Sequence, residues 1–164
     1  MFTIYYSSPI GMLKIIATET HIQEIIFMDD KEALNTKKIS TSENAILKKC
    51  KKELDQYFKG KRKQFSVSIH QEGTPFQEKV WNELLNIPFG KTVSYAHISE
   101  AIQNKKAVRA VGTANGSNHL PIIVPCHRVI GANGKLTGYG GGIWRKQWLI
   151  EHELTHSKNN GLLF

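Results

Sequence analysis

The composition of the chain restricts the classes of protein to which it can belong. Its 164 residues are 40% hydrophobic and 22% charged, the balance of a globular protein with one or two small domains. No apolar run approaches the roughly 20 residues of a membrane helix, and the N-terminus lacks the basic and apolar regions of a signal peptide. We therefore expect a cytoplasmic protein that does not enter the membrane. The net charge of +8 permits a polyanionic partner without identifying one.

The two cysteines, Cys50 and Cys126, lie in different sequence contexts. Without a secretory signal a disulfide between them is not expected, and neither belongs to a Cys-x-x-Cys pair of the kind that binds zinc. Cys50 falls on the apolar face of a predicted helix, where a buried cysteine is ordinarily unreactive. The sequence therefore predicts neither a metal site nor a cofactor.

The first half of the chain predicts a small sheet with one helix. The runs FTIYY, MLKIIA and IQEIIFM are rich in Ile, Phe and Tyr and are separated by turn-forming residues, as expected for strands. An amphipathic helix follows, with Ser40 and Glu43 as its capping box and Gly60 at its end. Its apolar positions recur at helical spacing and comprise Ile46, Leu47, Cys50, Leu54, Tyr57 and Phe58. The run QFSVSIH, at 64–70, predicts a last strand.

The second half opens with a helix signal. Thr74 suits the N-cap, Pro75 the first turn and Gln77 the third position of a capping box. Pro88 and Gly90 are expected to end this helix. Its predicted buried stripe comprises Phe76, Val80, Trp81, Leu84 and Leu85.

These signals divide the chain into a domain at 1–72 and a domain at 73–164. The predicted fold class is α+β. A small N-terminal α/β domain, built from a short antiparallel sheet and a helix, precedes a mainly helical C-terminal domain that contains a helix-turn-helix.

Residues 92–115 predict two short helices joined by a tight turn, which is the helix-turn-helix arrangement. We expect Ser94 to cap the first helix, whose inward positions are Ile98 and Ile102. Asn104 is the predicted cap of the second helix. The second helix should run from Lys105 to about Asn115, with Val108 and Val111 inward.

The outer face of this second helix carries cations and small side chains. Its members are Lys105, Lys106, Ala107, Arg109, Ala110, Gly112, Thr113 and Ala114. The second helix of such a pair commonly enters a DNA groove, and small residues allow a close approach. On these residues alone, a nucleic-acid contact and an ordinary helical corner are equally open.

Residues 118–130 are the stretch that most directly indicates chemistry. An apolar run bounded by two prolines leads to Cys126, His127 and Arg128, and a Gly-rich loop follows at 131–142. A cysteine attacks as the thiolate, and histidine or cationic neighbours lower its pKa. We therefore expect a reactive cysteine of lowered pKa, although a Cys-His dipeptide also arises by chance.

A carboxylate that orients His127 would complete a Cys–His–acid relay. Glu153, in the predicted helix WRKQWLIEHE, is the candidate, whereas Glu151 lies on a different face. In an extended segment Cys126 and His127 would point to opposite sides.

The motif Pro125-Cys126-His127-Arg128-Val129 resembles the signature of the O6-alkylguanine-DNA alkyltransferases (methylated-DNA–protein-cysteine methyltransferases). The resemblance covers 73–155 and extends less specifically into the N-terminal half. The other motifs similar to the family's occur in the same order along the chain: Phe76-Gln77-x-x-Val80-Trp81, Ile87-Pro88-x-Gly90-x-Thr92-x-Ser94-Tyr95, Arg109-Ala110-Val111-Gly112, Gly140-Gly141-Gly142 and Trp148-Leu149-x-x-His152-Glu153.

The resemblance implies a direct DNA repair reaction. Cys126 would take the alkyl group from O6-methylguanine, and also from O4-methylthymine, in a single irreversible turnover. His127 would act as its base through a bound water, Glu153 would hold His127, and Asn118 would fix the adjacent turn. No second nucleophile or cofactor is implied, since the thioether product is not regenerated.

The resemblance also implies a pocket for a flipped base. Its residues would be Tyr95, Pro121, Val129, Tyr139 and Gly140, with Pro121 over the mouth. Tyr95 would push on the phosphate and donate to a ring nitrogen, and the backbone N–H at Gly140 would donate to O6. Some family members carry a serine at this last position.

The implied partner is double-stranded DNA that contains an alkylated guanine, bound by a monomer through the minor groove. Arg109 would fill the space left by the flipped base. The implied DNA contacts are Tyr95, Asn104, Arg109, Ala110, Gly112 and Asn115. Some relatives bind zinc in the N-terminal domain, but this chain lacks the cysteines for that site.

Three other functions compete with this interpretation. A non-repairing sensor of alkylated DNA resembles these proteins but replaces the cysteine, usually with tryptophan, so Cys126 argues against it. A DNA-binding regulator that uses 92–115 alone leaves the Cys-His segment unexplained. A cysteine hydrolase would turn over repeatedly and would need no DNA.

Overall fold

The computed structural model describes residues 1–35 and 41–161, with side chains as far as residue 157. The backbone forms two compact units that divide between Gln71 and Glu72. No helix among the described residues has the length and apolar composition needed to cross a membrane.

The N-terminal unit is built on a three-stranded antiparallel sheet. Its strands are β1 (Phe2–Ser8), β2 (Gly11–Ala17) and β3 (Ile22–Phe27), paired in that order. Alternate residues such as Ile4, Leu13 and Ile15 are buried, as the period-2 pattern of a half-buried sheet requires. The three predicted strands are therefore confirmed. A short helix that the sequence did not indicate, α1 (Asp30–Leu34), follows β3.

Helix α2 (Ala45–Phe58) covers the sheet and confirms the predicted amphipathic helix. Its N-cap is Asn44, whose side chain accepts from the N–H of Leu47. The predicted cap Ser40 lies outside the described residues. Cys50 is fully buried on this helix, and burial together with the nearby Glu53 raises its pKa to about 12. Such a thiol is chemically inert at neutral pH.

The predicted strand at 64–70 is wrong. Only an isolated bridge joins Ile22 to Ile69. The backbone N–H groups of Ser66 and Val67 instead donate to the buried carboxylate of Glu53, at 2.9 and 3.0 Å. These donors are therefore unavailable to a strand ladder.

We expect Glu53→Gln to destabilise the protein by about 1–3 kcal/mol. Burial raises the pKa of Glu53, but hydrogen bonds from Ser66 and Val67 and the charge of Arg62 outweigh it, so the net pKa is lowered. The carboxylate accepts from three donors, which are the two backbone N–H groups and the hydroxyl of Ser66. An amide presents only one acceptor oxygen. Urea unfolding measures the change, with the exposed Glu43→Gln as control. An unchanged midpoint for Glu53→Gln would contradict this account.

The C-terminal unit begins with α3 (Pro75–Leu84), whose capping box joins Thr74 and Gln77 as predicted. Val80, Trp81 and Leu84 are buried. The rest of the predicted stripe differs, because Phe76 is half-buried and Leu85 is 49% exposed. Leu85 is the C-terminal cap of the helix and has turned away from the buried face.

Helices α4 (Tyr95–Ala101) and α5 (Val108–Gly116) form the predicted helix pair. Ser94 caps α4 by accepting from the N–H of His97. The prediction that Asn104 caps the second helix is wrong. Its backbone carbonyl oxygen accepts from the N–H of Ala107 and closes a turn before α5 begins. Lys105 and Lys106 therefore lie in the turn.

The inward face of α5 also differs from the prediction. Val111 is buried as expected, but Val108 is 39% exposed at the start of the shortened helix. Ala114 faces inward with only 2% exposure, and its carbonyl accepts from the indole N–H of Trp81 at 2.9 Å.

A parallel pairing brings the two halves of the C-terminal unit together. β4 (Val93–Ser94), just before α4, pairs with β5 (Val129–Ile130), so Val93 lies opposite Val129. The last helix, α6 (Ile143–Gly161), contacts the turn that precedes β5. The start of α4, the Cys-His segment and α6 thus converge on one place.

Candidate active site

The segment before Cys126 is a braced loop. The Asn118 amide donates to Val124 O at 2.9 Å, and its carbonyl oxygen accepts from Leu120 N at 3.0 Å. Ile122 has a φ of +75°, a strained conformation for a β-branched residue, and is held there while 1% exposed. The loop delivers the reactive segment in a fixed position.

Cys126–Arg128 forms a single 3₁₀ turn rather than the extended segment that the sequence indicated. The turn is closed by the Arg128 N–H, which donates to Pro125 O at 3.0 Å. The expected placement of Cys126 and His127 on opposite sides of an extended strand is therefore wrong. The prolines explain the difference, because Pro125 cannot donate to a ladder.

The carboxylate of Glu153 is the centre of a buried network. It lies 2.6 Å from Nε2 of His127 and accepts from Nε of Arg128 at 2.7 Å. Nη2 of Arg128 donates to the same carboxylate at 3.1 Å, and Gly90 N–H donates at 3.3 Å. Arg128 is held in turn by Ile87 O, at 2.6 Å. Glu153, His127 and Arg128 are each buried.

Gly90 is required by its position beside α6. Its φ is +81°, and a Cβ there would overlap the side chain of Ser157. Any other residue would push the backbone away from Glu153.

The charges in this network assign the proton on His127. Burial raises the pKa of Glu153, but His127 and Arg128 outweigh it and hold the pKa well below its usual range. Burial lowers the pKa of His127 despite the adjacent carboxylate. A neutral imidazole must donate from Nε2 to the carboxylate, which leaves the lone pair on Nδ1. Nδ1 is buried and has no hydrogen-bond partner among the described groups.

Cys126 is 6% exposed, and its thiol is not the acidic thiol that the sequence indicated. Burial raises its pKa, and this effect exceeds the lowering by a hydrogen bond from Asn118 and by the charge of Lys146. The resting side chain is therefore a neutral thiol. It requires a base at the moment it reacts.

Sequence reasoning missed Lys146, which is fully buried. Its ammonium donates to Thr137 O at 2.8 Å and lies 5.9 Å from the centre of the Tyr95 ring. Burial lowers its pKa, and the neighbouring Cys126 opposes that shift. The helical spacing that places Lys146 on the same face of α6 as Leu149 and Glu153 could have revealed it.

The residues predicted to line the pocket occupy different environments. Tyr95 donates to or accepts from Oγ1 of Thr137 at 3.1 Å. The phenolic oxygen of Tyr139 is buried, and burial and the adjacent Cys126 raise its pKa. Val129 and Pro121 are buried, so Pro121 does not lie on an open mouth in this structure. Gly140 is exposed, with open space on the side where a Cβ would project.

Comparisons with known proteins agree with this site. The ribonuclease-like domain of the 6-O-methylguanine DNA methyltransferase family matches residues 1–71, and the DNA binding domain of that family matches residues 75–155. The methylated-DNA–protein-cysteine methyltransferase of Methanosarcina acetivorans is 42% identical over 153 residues, covering 93% of this chain and 98% of the relative. The constitutive enzyme of that name from Bacillus subtilis is 46% identical over 145 residues, covering 84% and 87%.

A solved structure is similar over nearly the whole chain. It is Mycobacterium tuberculosis OGT in complex with DNA, with a TM-score of 0.82 and 42% identity, covering 94% of this chain and 92% of that one. The chain belongs to the methylated-DNA–protein-cysteine methyltransferase family. The resemblance and the α+β fold class stated from the sequence are therefore confirmed.

In this methyltransferase-family chain, the residues predicted to touch DNA fall into two groups. Arg109, Ala110 and Asn104 are exposed, and Gly112 is half-buried against the Tyr95 ring. Asn115 is only 3% exposed, and its amide donates to Cys126 O at 3.3 Å. The last turn of α5 therefore faces the reactive segment, so Asn115 does not reach the exposed side of the helix in this structure, and its DNA contact stays a prediction.

We expect Arg128→Leu to destabilise this family member by about 3–5 kcal/mol, because it leaves the Glu153 carboxylate buried without its cation. The stabilisation by Glu153, whose pKa is lowered, should be present at neutral pH and lost as the pH falls through the carboxylate's pKa. Chemical denaturation at pH 7 measures the loss, with the exposed Arg109→Leu as control. Equal stability of the two variants would exclude a structural role for the ion pair.

Proposed function

We propose that this chain repairs alkylated DNA by moving the alkyl group from O6-methylguanine, and also from O4-methylthymine, to Sγ of its own Cys126. The observation that carries the proposal is the buried neutral thiol of Cys126 next to His127 in the chain. Glu153 accepts the proton on Nε2 of His127, so Nδ1 is free to accept a proton. Family membership supports the same reaction. The substrate is double-stranded DNA, and the protein acts as a cytoplasmic monomer.

The reaction couples proton removal to attack. Nδ1 of His127 takes the thiol proton through a water molecule while Sγ forms a bond to the alkyl carbon. The bond from that carbon to O6 breaks, and its electron pair stays on the purine. The proton passed through His127 returns to the guanine ring, so the products are neutral guanine and a thioether. Removing the proton during attack avoids a free thiolate in a buried site, which burial disfavours.

The surrounding groups stabilise the charge that develops in the transition state. The Asn118 amide and the Lys146 ammonium favour negative charge on sulfur. Tyr95 donates to a ring nitrogen, and the backbone N–H of Gly140 donates to O6 as the alkyl group leaves. The raised pKa of Tyr139 keeps its hydroxyl protonated as a further donor beside the sulfur.

Access to the buried sulfur requires the base to leave the DNA stack. The exposed side of α5 is suited to the minor groove, because Arg109 is accompanied there by the small residues Ala110 and Gly112. Arg109 fills the vacated position in the duplex. Asn104, in the turn before α5, also contacts the DNA.

The protein is consumed by the reaction. Water does not cleave the carbon–sulfur bond of a thioether, and the other cysteine, Cys50, is buried and inert. A non-repairing sensor would bind the same DNA without forming a bond to sulfur, and the intact Cys–His–Glu relay favours repair.

We expect one methyl group to transfer per protein molecule, and to map to Cys126. Intact mass after incubation with a duplex that contains O6-methylguanine should rise by one methylene equivalent, and peptide mapping should place it. Cys126→Ser should abolish transfer while preserving duplex affinity. Cys50→Ser is the matched control and should retain full transfer.

Multiple turnovers would instead indicate a hydrolase, and tight binding with no mass change would indicate a sensor. Methylation at Cys50 would exclude the proposed site.

We expect Arg109→Ala to slow repair of duplex DNA far more than reaction with a free O6-alkylguanine base. Extruding a base costs a few kcal/mol of pairing and stacking, which an inserted side chain offsets only when a stack exists. The measurement compares rates at saturating duplex with rates on the free base, and thermal unfolding checks that the variant is folded.

A proportional loss on both substrates would reject insertion and indicate a damaged pocket. If Arg109 only contacts a phosphate, affinity should fall and its salt slope should decrease by about one, with the saturating rate unchanged.

A further inference from the structure

The carboxamide of Asn115 is a buried polar group with half of its hydrogen-bonding capacity unused. The side chain belongs to the last turn of α5 and is 3% exposed. Its Nδ2 donates to Cys126 O at 3.3 Å, whereas Oδ1 is buried without a partner among the described groups. Buried acceptors are nearly always hydrogen-bonded because leaving one unsatisfied is destabilising, so a donor is expected at Oδ1.

The second unsatisfied buried atom of the relay is Nδ1 of His127. His127 directly follows Cys126, and the carbonyl of Cys126 is the group that Asn115 contacts. The Asn115 side chain is thus in contact with the residue that directly precedes His127. Both unsatisfied atoms are acceptors, because Nδ2 of Asn115 is already donating and the His127 proton lies on Nε2, against Glu153.

One acceptor lies on His127 and the other on a side chain that contacts the preceding residue, Cys126. A single double donor can satisfy two such acceptors, and water is the small molecule that supplies two donors and still has lone pairs to accept. A buried water ordinarily has about three polar partners. The third partner here is the thiol of Cys126, a donor while its pKa remains raised.

We propose that Asn115 is a positioning residue that holds the relay water between its Oδ1 and Nδ1 of His127, with a lone pair of the water directed at the Cys126 S–H. This inference rests on the proposed function, since it concerns the proton transfer of that reaction. With both hydrogens of the water engaged, its remaining lone pairs are the ones available to the thiol. The S–H proton then moves to the water oxygen, a water proton moves to Nδ1, and the sulfur keeps the electron pair that attacks the alkyl carbon.

The test is Asn115→Leu, which keeps the approximate volume but removes both Oδ1 and the Nδ2 group that donates to Cys126 O. Loss of one hydrogen bond of about 1.4 kcal/mol corresponds to a rate about tenfold lower at saturating duplex and pH 7. Affinity for the duplex should be unchanged, because Asn115 does not reach the exposed face. Glu43→Gln, an exposed change in the N-terminal unit away from the proposed DNA surface, is the control.

The pH profile distinguishes positioning from a structural role. The wild-type rate should be flat above neutrality, since His127 is the base, whereas the rate of the variant should rise with pH as hydroxide replaces the relay. The other charged and titratable groups are Lys146 and Tyr139 near the sulfur and Glu153 and Arg128 beside His127, and they are common to both proteins. The ratio of the two rates therefore isolates Asn115.

Each outcome is decisive. A rate deficit that narrows at high pH, with unchanged affinity and a cooperative thermal transition showing that the variant is folded, supports the inference. An equal rate, a deficit that does not change with pH, or a loss confined to affinity overturns it while leaving alkyl transfer intact. Failure of the wild-type protein to acquire a methyl group at Cys126 would instead overturn the proposed function itself.

Discussion

The ion pair between Glu153 and Arg128 is the constraint on which the rest of the site depends. A lone carboxylate beside His127 would draw a proton onto the imidazole, because it favours the charged form. Burial is the main cause that lowers the pKa of His127, and the charge of Arg128, which shares the carboxylate, lowers it as well. The imidazole is thereby oriented by Glu153 yet remains neutral, as a base must be.

The same burial decides how the cysteine can react. A thiol stabilised as a thiolate would be exposed to oxidants and unrelated electrophiles before any damaged base arrived. Cys126 remains a thiol in the resting protein, because burial outweighs Asn118 and Lys146. Those two groups still favour negative charge on sulfur, and that charge develops once a proton acceptor and an alkyl group are both in place. If the protein is consumed by one reaction, as we propose, a thiol that is unreactive in the resting state is an advantage.

Sequence patterns predicted the elements whose local signals agree with their packing. The strands, the capped start of α3 at Thr74 and the start of α4 at Ser94 required only periodicity and capping residues. The predictions failed where other hydrogen bonds used the backbone groups that the predicted elements needed. The Glu53 side chain accepts from the N–H groups that a strand at 64–70 needed, and the backbone carbonyl of Asn104 closes a turn, so α5 begins later than predicted. The Cys126, His127 and Glu153 set was accessible from the motif. Lys146 was not singled out, because a lysine in a basic helix is ordinarily exposed, whereas this one is buried.

Helix α5 links the proposed DNA surface to the chemistry. Its period of 3.6 residues places Val111, Ala114 and Asn115 inward and leaves Arg109, Ala110 and Thr113 outward. The inward face is fixed at two points, by the Trp81 indole on Ala114 O and by the Asn115 amide on Cys126 O. A duplex seated on the outward face therefore has a set position relative to the sulfur. Because orientation of the reacting atoms contributes several kcal/mol to a displacement, a short and rigid helix serves this reaction better than a flexible arm.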